Sequence, residues 1–313
     1  MALGLFSSLI IGLILRTAGE QFGLLQLVTI GQTAMGLMGP AIGVAIAYGL
    51  KAPPLVLFAS AAAGAFGAVS GGPAGAYVAS LLAVETGKLL SGSTRLDIIL
   101  TPLVTILVGY FAAESVGVLI HQGMIAFGDV INWSVERQPF LMGILVATLM
   151  GFALTAPISS AAIAIMLGLD GLAAGAATVG CSAQMVGFAV SSFKENGVGG
   201  LLAQGLGTSM LQIANIIKNP MILIPPTAAG ILLAPLSTMV FMMENSPEGA
   251  GMGTSGFVGQ ILTLTSMGFT AENLLSIGIL HLAGPVLISL VVSSWMRRKG
   301  WIRSGDMFLK TGK

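Results

Sequence analysis

The chain has 313 residues, of which 8% are charged and 55% hydrophobic, with a formal net charge of +1. Ordinary soluble domains carry about 25% charged residues, and a soluble fold of this size cannot cover its surface with so few, so the composition specifies a polytopic membrane protein. The near-neutral balance excludes nucleic acid as a partner, and the single cysteine, Cys181, excludes both an intramolecular disulfide framework and a cysteine-cluster metal site.

In chain order, the apolar stretch Ala2–Leu15 reads as a retained first membrane helix or half-helix. An apolar run over 21–50 ends at Lys51-Ala-Pro-Pro. The run over 52–84 is too long for one span and carries Gly71-Gly-Pro in its middle. A run over 98–113 lies between Asp97 and Glu114. The run over 138–169 is again too long and is broken at Thr155-Ala-Pro157. Further runs cover 171–193, 196–217, 219–243 and 273–296. A span needs about 20 apolar residues, so this pattern predicts about eight to ten spans. The expected fold is all-α and polytopic, with broken or re-entrant helical elements. Glycine-proline breaks free backbone groups that cannot face lipid, so they belong in protein or beside a watery cavity. The runs Ala61–Ala68 and Ala173–Ala177 are expected to form tight helix–helix seams.

Six of the 13 basic residues follow position 296, which places the C-terminus in the cytoplasm by the positive-inside rule. The expected organisation is an N-terminal membrane half over 1–135, which forms a scaffold and dimer surface. A C-terminal membrane half over 136–296 binds substrate, and a basic tail covers 297–313. No Walker A motif or dinucleotide fingerprint occurs, so energy for transport comes from another molecule. No cofactor is expected.

Polar residues at bilayer depth are costly and mark candidate sites. Ser159 and Ser160 follow the Pro157 break, and Gln184 lies in the small-residue run after Cys181. Gln204, Thr208, Ser209, Gln212, Asn215 and Asn219 recur at mostly three- and four-residue spacing, which puts them along one helix face. Two readings apply: interhelical hydrogen bonding, or a polar cavity whose paired donors and acceptors suit a neutral polyhydroxylated solute. Glu244 is the leading carboxylate candidate. It precedes a glycine-rich loop containing Thr254 and Ser255 and continuing to Gln260, and this loop is expected to dip into the protein. His281 is read as a hydrogen-bonded packing residue, and Cys181 as a small hydrophobe.

These segments carry a family resemblance. Met38–Tyr48 (MGPAIGVAIAY), Gly71–Gly75 (GGPAG), Asp97–Val104 (DIILTPLV), Leu154–Ala162 (LTAPISSAA), Gly171–Cys181, Gln204–Gln212 (QGLGTSMLQ), Asn219-Pro220 and Gly251–Gln260 (GMGTSGFVGQ) are similar to the membrane (IIC) permease subunit of the sugar phosphotransferase system, in the branch that includes clostridial toxin-regulator-like membrane proteins. The resemblance implies a homodimer in the bacterial cell membrane that binds a sugar and passes it to a separate IIB protein for phosphorylation. IIB is charged in turn by IIA, and the IIC chain carries no phosphorylated residue of its own. The resemblance also implies Pro157–Ser160 as a substrate element and Glu244 as the partner of the reacting hydroxyl. A non-phosphorylating carrier of a small polar metabolite and a membrane sensor that regulates gene expression are the alternatives.

Overall fold

The computed structural model describes residues 1–93, 95–156 and 159–309. The chain is an all-α membrane protein, and among the described residues the one β-type pairing is an isolated bridge between Gly171 and Asn245. It divides into two compact units, Met1–Phe127 and Gly128–Lys313.

The first unit opens with α1 (Leu3–Phe22), followed by α2 (Leu25–Gly36) and α3 (Met38–Gly49), which are bent 50° from one another. Next comes α4 (Pro54–Leu90), which is not one rod. Gly71 and Gly72 leave helical geometry, and Gly72 adopts φ +56° and ψ −148°, a region open to glycine and few other residues. Val56 and Val84 share one buried cluster with Ala47, and the Gly67 backbone abuts that of Gly75. In a straight helix residues 56 and 84 would be about 42 Å apart. The two arms therefore run antiparallel as a hairpin that turns at Gly71-Gly72, each arm roughly 26 Å long. Small residues permit this approach. Gly39, Gly43 and Gly64 leave no room for a Cβ where α3 meets the first arm, nor does Gly109 beside Ala63. At the turn, Ser70 Oγ donates to Glu114 Oε1 at 2.5 Å, and the His121 ring lies beside Gly72.

The boundary between the units falls inside α5 (Asp97–Arg137). The second unit is organised around α8 (Gly171–Ser191), of which 18 of 21 residues are buried, so it touches protein and not lipid. Its glycines set the packing distance. Gly180 sits against the Ala147 backbone of α6 (Pro139–Thr155). Gly187 meets Pro226 of α11 (Pro220–Val240) and Ser289 of α13 (Ala271–Arg298). Two apolar clusters flank it. One joins Val179, Leu233, Met243, Leu264, Ile277 and Leu280, and the other joins Phe188, Ile216, Ile222, Met296, Ile302 and Met307. The second cluster includes the C-terminal segment, which folds back onto this unit. Burying Ile302 and Met307 contributes about 1.5–3 kcal/mol each.

Among the described residues, and with the α4 hairpin counted once, six helices are long and apolar enough to cross a bilayer, or seven if α2 and α3 form one span. The sequence pattern predicts more for two physical reasons. The run at 196–217 breaks into the short helices α9 (Phe193–Leu202) and α10 (Ile213–Lys218), with turns around Gly197, Gly207 and Thr208. The 138–169 run becomes the 17-residue α6 plus the two-turn helix α7 (Ser160–Leu167).

Candidate functional site

The polar residues predicted from sequence fall into two groups in the second unit. The first surrounds the break between α6 and α7. Pro157 lies outside the described residues. Ser159 caps α7, accepting from the Ala162 amide at 3.2 Å. Ser160 is buried and donates to the Gly251 carbonyl at 2.6 Å. At the end of α6, Thr155 Oγ1 lies 2.9 Å from Ser209 Oγ.

The glycine-rich loop enters this region from the other side. Asn245, only 1% exposed, anchors it by donating to Thr178 Oγ1 at 2.8 Å and to the Gly259 carbonyl at 3.1 Å. Residues 249–254 are buried. Gly253 has φ +53°, and a Cβ there would lie 2.7 Å from the Cys181 carbonyl carbon and 2.9 Å from the Ser182 amide. Only glycine fits that approach. Thr254 Oγ1 donates to the Gly205 carbonyl at 2.5 Å, and the half-buried Ser255 closes a turn onto the Met252 carbonyl. Phe257 is held at φ +58° without being glycine, a local strain that the buried loop sustains.

Behind the loop lies a polar seam. Gln260, on α12 (Val258–Met267), places Nε2 at 3.3 Å from Ser182 Oγ and 3.1 Å from His281 Nδ1. Gln260 Oε1 and His281 Nε2 are buried with no partner. With the amide donating to Nδ1, the neutral imidazole carries its proton on Nε2, leaving one free donor and one free acceptor. Exchanging the amide oxygen and nitrogen reverses the roles and still leaves one of each. A hydroxyl both donates and accepts, so this pair suits a hydroxylated solute. Buried polar atoms without partners are rare and costly. Gln184 is also buried. Its Nε2 donates to Thr227 Oγ1 at 3.0 Å and its Oε1 is unpartnered, but it faces Gly151 and α11, away from Gln260.

The second group is the carboxamide row, and it holds the C-terminal segment. Gln204 Nε2 donates to Ser192 Oγ at 2.8 Å, and its Oε1 accepts from Gln212. Gln212 Nε2 also donates to the Met307 carbonyl at 3.0 Å. Asn215 donates to Gln212 Oε1 and to the Phe308 carbonyl. Asn219 donates to the Trp301 carbonyl and to Asp306 Oδ2. Thr208 caps the following turn at the Met210 amide. Two residues outside the sequence prediction complete the grip. Asn196 donates to the Met307 carbonyl and accepts from the Leu309 amide. Glu195 pairs with Arg297 at 2.7 Å and accepts from the Met307 amide at 2.9 Å.

Glu244 stands apart from both groups. Its side chain is exposed, and its amide meets Met267 Sδ at 3.3 Å. The buried member of that pair is its neighbour, Asn245. In the sequence Asn245 is only the first residue of the glycine-rich loop, and His281, alone in the last apolar run, reads as a hydrogen-bonded packing residue.

No curated protein and no solved structure matches the chain. The family model described as "Phosphotransferase system, EIIC" matches residues 1–309. That match covers both units, including the α4 hairpin, the buried loop and the C-terminal segment. The chain belongs to the phosphotransferase system EIIC family of membrane permeases.

Proposed function

We propose that this chain is the IIC component of a phosphoenolpyruvate-dependent sugar phosphotransferase system, binding a sugar or similar polar solute that a separate IIB protein phosphorylates. Gln260 and His281 carry this reading, because the two side chains are hydrogen-bonded to one another and each keeps one buried atom without a partner. Ser160, Ser182 and Thr254 surround the same loop and supply further hydroxyls. The second unit is the substrate-binding half, and the first, with its glycine-packed hairpin, is the scaffold of a homodimer. The basic C-terminal segment faces the cytoplasm, where phosphotransfer partners reside.

In such a cycle the seam orients the solute's hydroxyls, and the buried loop excludes water until the reacting hydroxyl meets the phosphoryl donor. The test is uptake of labelled sugars by cells expressing this chain with its IIA and IIB proteins, with and without the histidine phosphocarrier. The expected result is accumulation of sugar phosphate only when the carrier is present. Equal uptake of unmodified solute in both strains would instead make the chain a non-phosphorylating carrier.

A further inference from the structure

We propose that the second unit carries a binding site for an anionic phospholipid, in the groove between the ends of α8 and α13. The groove has a volume of about 320 Å³. Its wall is apolar, formed by Val190, Phe193, Leu201 and Leu290, and its mouth carries Lys194 and Arg297. Two membrane-length helices end here, Gly171–Ser191 and Ala271–Arg298. The apolar wall therefore lies at the depth of acyl chains, and the two cations lie at the depth of headgroups. Trp295 and Trp301 stack edge to face at the same end, with centroids 5.1 Å apart, as interfacial tryptophans do.

The charge at the mouth is only partly neutralised from within. Among the described residues Lys194 makes no ion pair, and the one carboxylate paired to Arg297 is Glu195. That pairing uses a single terminal nitrogen of Arg297, which also donates to the Ser191 carbonyl at 3.0 Å. The guanidinium keeps further donors for a phosphate. Ser191, 5% exposed, lines the groove with an Oγ that has no partner. A headgroup phosphate between Lys194 and Arg297 supplies the missing charge, and an acyl chain along Leu290 and Leu201 covers the apolar wall. A soluble anion fills only the mouth.

The proposal stands apart from the sugar reading, and its test uses no sugar. The purified full chain in an uncharged detergent is melted with phosphatidylglycerol, with phosphatidylcholine of the same acyl chains, and with inorganic phosphate. The expected result is a rise in melting temperature with phosphatidylglycerol alone. Lys194→Gln is expected to weaken that response by roughly fivefold in lipid concentration, the loss anticipated for one basic residue at an anionic surface. Leu290→Trp, at a half-exposed position that fills the groove, is expected to abolish it. An equal rise with phosphatidylcholine, an equal rise with phosphate alone, no rise with phosphatidylglycerol, or an unaltered response in Leu290→Trp each overturns the proposal.

Discussion

The second unit contains two buried polar networks, and they differ in what they leave unpaired. In the carboxamide row, Gln204 spends its amide donors on Ser192 Oγ and the Gly200 carbonyl, while Gln212, Asn215 and Asn219 spend theirs on row neighbours and on residues 301–308. Behind the glycine-rich loop, Gln260 and His281 each keep an atom without a partner. A satisfied network rigidifies, whereas a partly satisfied one is costly unless something else completes it. The row therefore reads as the clasp of the C-terminal segment, and the seam as the place that a solute completes. The number of polar residues does not distinguish the two; the bookkeeping of their donors and acceptors does.

The largest effect is expected at the seam. Gln260→Leu or His281→Phe should weaken solute binding by roughly a hundredfold, since each removes hydrogen bonds made in a water-poor site. Calorimetric titration of the purified variants checks this. Each variant should also lose about 1–3 kcal/mol of stability, because each breaks the buried Gln260–His281 bond and leaves the other partner's polar atom unpaired.

Gln212→Leu should do the opposite. It strands Gln204 Oε1 and one bond to the Met307 carbonyl in a buried setting, costing about 2–4 kcal/mol. Thermal unfolding reports the loss, while solute affinity should be retained. A smaller effect is expected for Glu195→Gln, which keeps a hydrogen-bonding shape but removes the charge facing Arg297. With Arg297 24% exposed, the cost should be about 1–2 kcal/mol. Faster tryptic cleavage after Arg303 would mark release of the segment.

Glu244→Gln should produce the smallest change, within about 0.5 kcal/mol, as befits an exposed side chain. Unaltered solute affinity in that variant would separate the family-based role for Glu244 from the site at Gln260. A marked loss would join the loop's carboxylate to the seam.

Much of the architecture was legible in the residues. The break at Gly71-Gly72-Pro73 is visible as a proline-glycine interruption in an overlong apolar run, and it became a hairpin turn. The small-residue run Ala173–Ala177 lies in the most buried helix of the unit. The loop at Gly251–Gln260 is buried at both ends, over 251–254 and 258–260, while Gly256 and Phe257 between them are exposed. Partner choice was not legible. Spacing put Gln212, Asn215 and Asn219 together but could not show that residues 301–309, some 90 positions later, return to meet them. Nor could it show that His281, isolated in an apolar run, would stand 3.1 Å from Gln260 with its other nitrogen free. Those are long-range consequences of packing around α8, and no local pattern encodes them.

The most direct measurement is a thermal-shift series of the wild type, Gln260→Leu and Gln212→Leu against sugars, sugar alcohols and their phosphates. Gln212→Leu is predicted to melt lower than wild type yet gain the same ligand-induced rise, while Gln260→Leu gains none. A full ligand response in Gln260→Leu, with the response lost in Gln212→Leu, would contradict it and return the binding site to the carboxamide row.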